Sequence, residues 1–92
     1  MNYTDNIARY KKRVKGASME LSKKLRKLRK EHGETQKQVA AAIGLSERPY
    51  QYLESGEHQP SLDTFIALAD HFGVSLDYLA GRTEDPRGGI ES

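Results

Sequence analysis

The side chains with the most recognition chemistry to offer are Glu47, Arg48 and Tyr52, inside the stretch TQKQVAAAIGLSERPYQYLESG that runs from Thr35 to Gly56. An arginine guanidinium forks onto the O6 and N7 acceptors of guanine, and a carboxylate accepts from the N4 amino group of cytosine. A tyrosine packs on a thymine methyl or reaches a phosphate. Each has a plainer reading beside this one. Arg48 is then a solvated surface arginine, Glu47 an acid favoured at a helix N-terminus by the macrodipole, and Tyr52 a ring covering the edge of a core.

The elements that position these three are legible from caps and breakers. Thr35 and Gln38 form a T-x-x-Q capping box that starts a short helix with an apolar face of Val39, Ala40 and Ile43. Gly44 supplies the positive φ of a sharp turn, Leu45 plugs the core, and Ser46 caps a second helix ended by Gly56. Pro49 falls in its first turn, where a missing N–H is tolerated, so the Ser46 hydroxyl is expected to bond the amide of Arg48 instead. Tyr50 and Leu53 face the core, which leaves Glu47, Arg48, Gln51, Tyr52 and Ser55 outward. Two helices joined this tightly leave the second projecting, at a width that fits a DNA major groove.

Size and composition narrow the function. Ninety-two residues with 36% hydrophobic content make one small domain, with too little core for a deep substrate cavity. There is no cysteine, hence no disulfide framework or thiolate metal site. His32, His58 and His71 lack ligand-like spacing and read as surface residues, and the glycines are scattered as caps rather than gathered in a phosphate-cradling loop. No enzyme, metal or cofactor is expected. No apolar run approaches the roughly 18 residues of a membrane span, and no signal-peptide pattern is present, so the expected location is the cytoplasm.

The net charge of +2 conceals a strong polarity. Residues 1–32 hold eleven Lys or Arg against Asp5, Glu20 and Glu31, whereas the other sixty residues hold four against ten acids. A basic N-terminal third suits a phosphate backbone, with an acidic remainder facing away from it; a solvated, self-repelling tail is the plainer reading. Residues 1–18 form a basic extension with Ile7, Tyr10 and Val14 at helical spacing, either an arm or a marginal helix. Three apolar side chains order such a segment only if it docks on the domain, a partner or nucleic acid.

From Glu20 to His32, Leu21, Leu25 and Leu28 give an amphipathic helix with a basic outer face. After the second turn-linked helix, Ser61 caps one with a broad apolar face of Leu62, Phe65, Ile66, Leu68, Ala69 and Phe72. Ser75 caps a last short helix with Leu76, Tyr78 and Leu79. The expected domain is 19–82, and 83–92, with Pro86 and Gly88-Gly89, reads as a flexible tail.

The pieces LRKLRKEHG, TQKQVAAAIGLS, LESG and PSLDTFIALADHFGVSLDYLAGR, in this order and spacing, resemble the Cro and C1-type (XRE-like) helix-turn-helix family of phage repressors and bacterial regulators. The resemblance spans about Leu21 to Gly81. It implies an all-α, compact five-helix bundle of the lambda-repressor-like type and sequence-specific double-stranded DNA binding by a transcriptional regulator, a repressor in the first instance. It places Glu47, Arg48 and Tyr52 at base-reading positions and Gln36, Ser46, Gln51 and Ser55 at phosphate positions. Lys37, Arg26, Lys30 and His58 are further candidates for backbone contact, and Arg29 and Glu54 match a pair joined across helices. The other reading of Arg29 is a phosphate ligand. Many similar domains bind as homodimers on paired half-sites.

Glu34 stands where similar domains carry an apolar residue before the cap, and Glu57 and His58 where they often carry lysine or arginine. An acidic loop repels phosphates. Either the basic first helix and arm compensate, or this copy of the fold is a protein-interaction module whose partner is an antirepressor, a toxin or a polymerase subunit.

Overall fold

A computed structural model describes residues 17–88, which form five helices and no strand: α1 (Ala17–Glu31), α2 (Gln36–Ala42), α3 (Glu47–Ser55), α4 (Leu62–Phe72) and α5 (Leu76–Leu79). The all-α, five-helix architecture is the expected one. The expected extension falls outside the described residues, apart from Ala17 and Ser18. These two belong to α1, which starts three residues before the anticipated Glu20; alanine favours helix more than any other residue, so the helix extends back through Ser18 to Ala17.

Every helix contributes to one core. Leu25 and Leu28 of α1 meet Val39 of α2, Tyr50 and Leu53 of α3 and Leu68 of α4, while Phe72, Tyr78 and Leu79 close the far side. Leu21, Ile43 and Leu45 pack partly buried around them. Burial of each large apolar side chain contributes about 1.5–3 kcal/mol. The broad apolar face expected on α4 is narrower in fact: Leu68, Ala69 and Phe72 are buried and Phe65 half-buried, but Leu62 is 70% and Ile66 39% exposed. An eleven-residue helix has room for one buried stripe; the 100° step per residue carries Ile66 off that stripe, and Leu62 is the first residue of the helix.

The N-terminal half of α1 is fastened to α5. Lys24 Nζ donates to the Tyr78 carbonyl at 2.6 Å and lies 4.6 Å from the centre of the Tyr78 ring, so one ammonium both caps a helix end and stacks on an aromatic face. Beyond α5 the chain returns to the N-cap of that helix. Ser75 donates its N–H to the Pro86 carbonyl at 2.8 Å and its hydroxyl to the Gly88 carbonyl at 3.1 Å. Residues 83–88 of the expected tail are therefore held against the α4–α5 turn.

Candidate nucleic-acid interface

The turn between α2 and α3 is built as the local signals require. Thr35 Oγ1 accepts from the Gln38 N–H at 3.1 Å, and Gln38 Oε1 accepts from the Thr35 N–H at 2.8 Å, closing both halves of the capping box. Gly44 reverses the chain at φ +79°, where a side chain would be strained, and the Leu45 N–H then reaches back to the Ala40 carbonyl at 2.8 Å. Gly56, at φ +83°, ends α3 in the left-handed conformation. The expected bond from Ser46 to the Arg48 amide does not form. Ser46 has extended backbone and no side-chain capping bond, so with Pro49 supplying no N–H the start of α3 is held by packing and by the position of Glu47 at the dipole.

Arg29 and Glu54 fix α3 to α1. The guanidinium donates from Nε to Glu54 Oε2 at 2.6 Å and from Nη2 to Oε1 at 3.1 Å, and its Nη1 reaches the Glu34 carbonyl at 3.1 Å. The Tyr50 hydroxyl donates to Glu54 Oε2 at 2.5 Å, and Gln36 Nε2 donates to Oε1 at 3.2 Å. Glu54 is 3% exposed, yet its carboxylate oxygens together accept four hydrogen bonds from three helices, the arrangement under which a buried charge is tolerable. Burial pushes the Glu54 carboxyl up, but the bonds from Arg29, Tyr50 and Gln36 outweigh it and hold the group below the ordinary carboxylate range. The bond to Glu54 raises the Arg29 guanidinium above its ordinary value, and burial pushes the Tyr50 phenol up.

This buried group continues to the surface. Gln36 presents its Oε1 to Gln51 Nε2 at 3.3 Å, and the same Gln51 amide lies 3.3 Å from Glu47 Oε2. A ladder thus runs from Glu54 through Gln36 and Gln51 to Glu47. Only the Gln51–Glu47 step, one turn of α3, is local; the Glu54–Gln36 and Gln36–Gln51 steps join residues far apart in sequence.

The exposed side of α3 carries Glu47, Arg48, Gln51 and Ser55, with Ser46 exposed just before it. Among the described residues the Arg48 guanidinium has no hydrogen-bond or ion-pair partner, in contrast to Arg29. Tyr52 is half-buried and its ring lies 4.7 Å from that of His58, so the two form one aromatic corner at the end of α3. Ser55 turns its hydroxyl back to the Tyr52 carbonyl at 3.1 Å and accepts from the Glu57 N–H at 3.3 Å. Lys37 is exposed in the first turn of α2, and Arg26 and Lys30 are exposed on α1.

The histidines are not all simple surface groups. His71 Nε2 lies 2.9 Å from both carboxylate oxygens of Glu34, and the His32 and His71 rings both meet Phe72 edge-on. Glu34 therefore ties α4 to the start of the helix pair by a polar contact where an apolar staple was missing. No group of three or more His, Cys, Asp or Glu among the described residues is arranged to hold a metal, and none of their helices is long and apolar enough to cross a membrane.

A capped short helix, a turn at Gly44 and a second helix braced by the buried Glu54 and presenting Arg48, unpaired among the described residues, form a helix-turn-helix arrangement. The helix-turn-helix family profile matches residues 25–79, and the chain belongs to that family, in its Cro/C1-type branch. It is similar to the uncharacterized HTH-type transcriptional regulator YobD of Bacillus subtilis, 40% identical over 68 residues that cover 74% of this chain and 61% of YobD. The cryptic phage CTXphi transcriptional repressor RstR of Vibrio cholerae is 38% identical over 70% of this chain and 57% of its own. The HTH-type transcriptional regulator ImmR of Bacillus subtilis is 33% identical over 72% and 52%. The chain thus spans between half and two thirds of the length of these relatives. No solved structure gives a significant match.

Proposed function

We propose that this chain binds double-stranded DNA sequence-specifically by seating α3 in the major groove, and that it regulates transcription as a repressor that occupies an operator and excludes polymerase. The observation that carries the reading is the exposed guanidinium of Arg48, unpartnered among the described residues, on a helix held rigid from behind by Arg29, Tyr50 and Glu54. A guanidinium that no described side chain occupies is available for a bidentate contact to guanine.

In this reading Glu47 and Tyr52 reach base edges beside Arg48. Gln36, Ser46, Gln51 and Ser55 face the phosphates that flank the groove, with Lys37, Arg26, Lys30 and His58 at the margin. The ladder through Gln36 and Gln51 keeps these amides in register before DNA arrives. The protein acts in the cytoplasm, and two copies occupy half-sites about one helical turn apart. Relatives named as transcriptional regulators and repressors support DNA over a protein partner as the principal ligand. The test is a titration against genomic fragments, beginning with the protein's own promoter, at low and at physiological salt. One fragment retaining tight binding at physiological salt is expected; equal, weak binding to all fragments contradicts the reading.

A further inference from the structure

Tyr52 is half-buried, and among the described residues its hydroxyl has no hydrogen-bond partner, whereas the Tyr50 hydroxyl of the same helix is tied to Glu54. A tyrosine on the outer side of a helix has two torsions to order. Each rotamer left open in the free protein must be given up when a base edge arrives.

The loop after α3 supplies a hold on this side chain. Gly56 turns the chain back at φ +83°, and the Tyr52 carbonyl then accepts from the Ser55 hydroxyl at 3.1 Å, the Glu57 N–H at 3.0 Å and the His58 N–H at 3.2 Å. The last of these bonds fixes the backbone of His58 beside Tyr52. The two rings then meet at 4.7 Å with their planes inclined at 47°. His58 thus touches Tyr52 twice, by its main chain and by its side chain. An aromatic neighbour at this distance attracts the tyrosine ring and fills the space through which it would otherwise turn.

We propose that His58 is a positioning residue for DNA discrimination: its ring holds the Tyr52 side chain in one rotamer before DNA arrives, so that base readout by Tyr52 depends on His58. The proposal rests on the major-groove reading of α3. It differs from a phosphate contact by His58, which would add affinity equally on every sequence. A ring that acts through Tyr52 affects the base pair that Tyr52 reads and no other.

The first measurement uses the full chain without DNA. Three-bond couplings of the Tyr52 side chain should report a single χ1 rotamer in the wild type and averaging over rotamers in His58→Ala. They should report a single rotamer again in His58→Phe, which keeps a ring and loses the imidazole nitrogens. His58 is exposed and outside the core, so both variants should keep their helices, which circular dichroism checks. The same proteins are then titrated at physiological salt against the preferred promoter fragment and its single-base-pair variants. At the base pair whose discrimination Tyr52→Ala relaxes, His58→Ala should relax it by about two- to tenfold. His58→Phe should restore that discrimination even where its overall affinity falls for want of a phosphate contact. Adding His58→Ala to Tyr52→Ala should relax that base pair no further.

An unchanged rotamer in His58→Ala overturns the proposal, as does a Tyr52→Ala that relaxes no base pair. So does a loss equal on every fragment in both His58 variants, which would make His58 a phosphate ligand only. Wild-type protein that discriminates among no fragments would overturn the reading of α3 itself. Discrimination that is present in the wild type and intact in His58→Ala overturns this proposal alone.

Discussion

Arg29 of α1 and Glu54 of α3 meet through two hydrogen bonds of 2.6 and 3.1 Å, with Arg29 15% and Glu54 3% exposed. The pair anchors the helix that presents Arg48, and its consequences extend to stability as well as recognition. Removing one partner leaves a charge buried without compensation, which costs far more than the intact pair contributes. Glu54→Ala should therefore lower the unfolding free energy by about 3 kcal/mol. Tyr50→Phe, which deletes one donor and keeps the ring, should cost only about 1–1.5 kcal/mol. Urea denaturation of the two variants checks the order; equal losses would show that Glu54 is held by packing alone.

Acid should expose the same group. Glu54 is held below the ordinary carboxylate range in the folded protein, so the unfolded chain takes up the proton at higher pH than the folded one does. The stability it contributes is fully present above the ordinary value near pH 4.3 and is lost as pH falls through the lower folded-state value. The unfolding free energy of the wild type should decline more steeply below about pH 4.3 than that of Glu54→Gln. Parallel acid profiles would contradict this.

The capping box makes a smaller and more local prediction. Thr35→Ala deletes the acceptor for the Gln38 amide and should cost about 1 kcal/mol, read as a lower melting temperature with the transition still cooperative.

Much of the frame was legible because its signals are local. The Thr35–Gln38 box, the turn at Gly44 and the stop at Gly56 each depend on residues within four positions of one another. The Arg29–Glu54 pair spans 25 residues and could be named only through the resemblance to a family. Three features escaped sequence reading: the Tyr50 hydroxyl on Glu54, the ladder from Gln36 to Glu47, and the contact of His71 with Glu34. The Gln36–Gln51 and His71–Glu34 contacts depend on how helices are juxtaposed in space; Tyr50 and Glu54 are one turn apart on α3, but a tyrosine placed in the core by its period says nothing about where its hydroxyl finds a partner. Leu62 and Ile66 misled for the opposite reason, since apolar type alone does not fix which side of α4 is buried.

The phosphate contacts should be separable from base readout. Lys37 is exposed in the first turn of α2, so Lys37→Ala should weaken binding nearly equally on all fragments and reduce the salt slope by about 1. A loss confined to one DNA sequence would place Lys37 among the base-reading residues instead.

The most direct test of the central claim is the discrimination of Arg48→Ala between the preferred promoter fragment and an unrelated duplex at physiological salt. Arg48 is exposed and has no hydrogen-bond or ion-pair partner among the described residues, so the substitution should leave stability within about 0.5 kcal/mol of wild type. It should also reduce discrimination by about 1–3 kcal/mol, through weaker binding to the preferred fragment alone. Unchanged discrimination with the fold intact would contradict major-groove readout by α3.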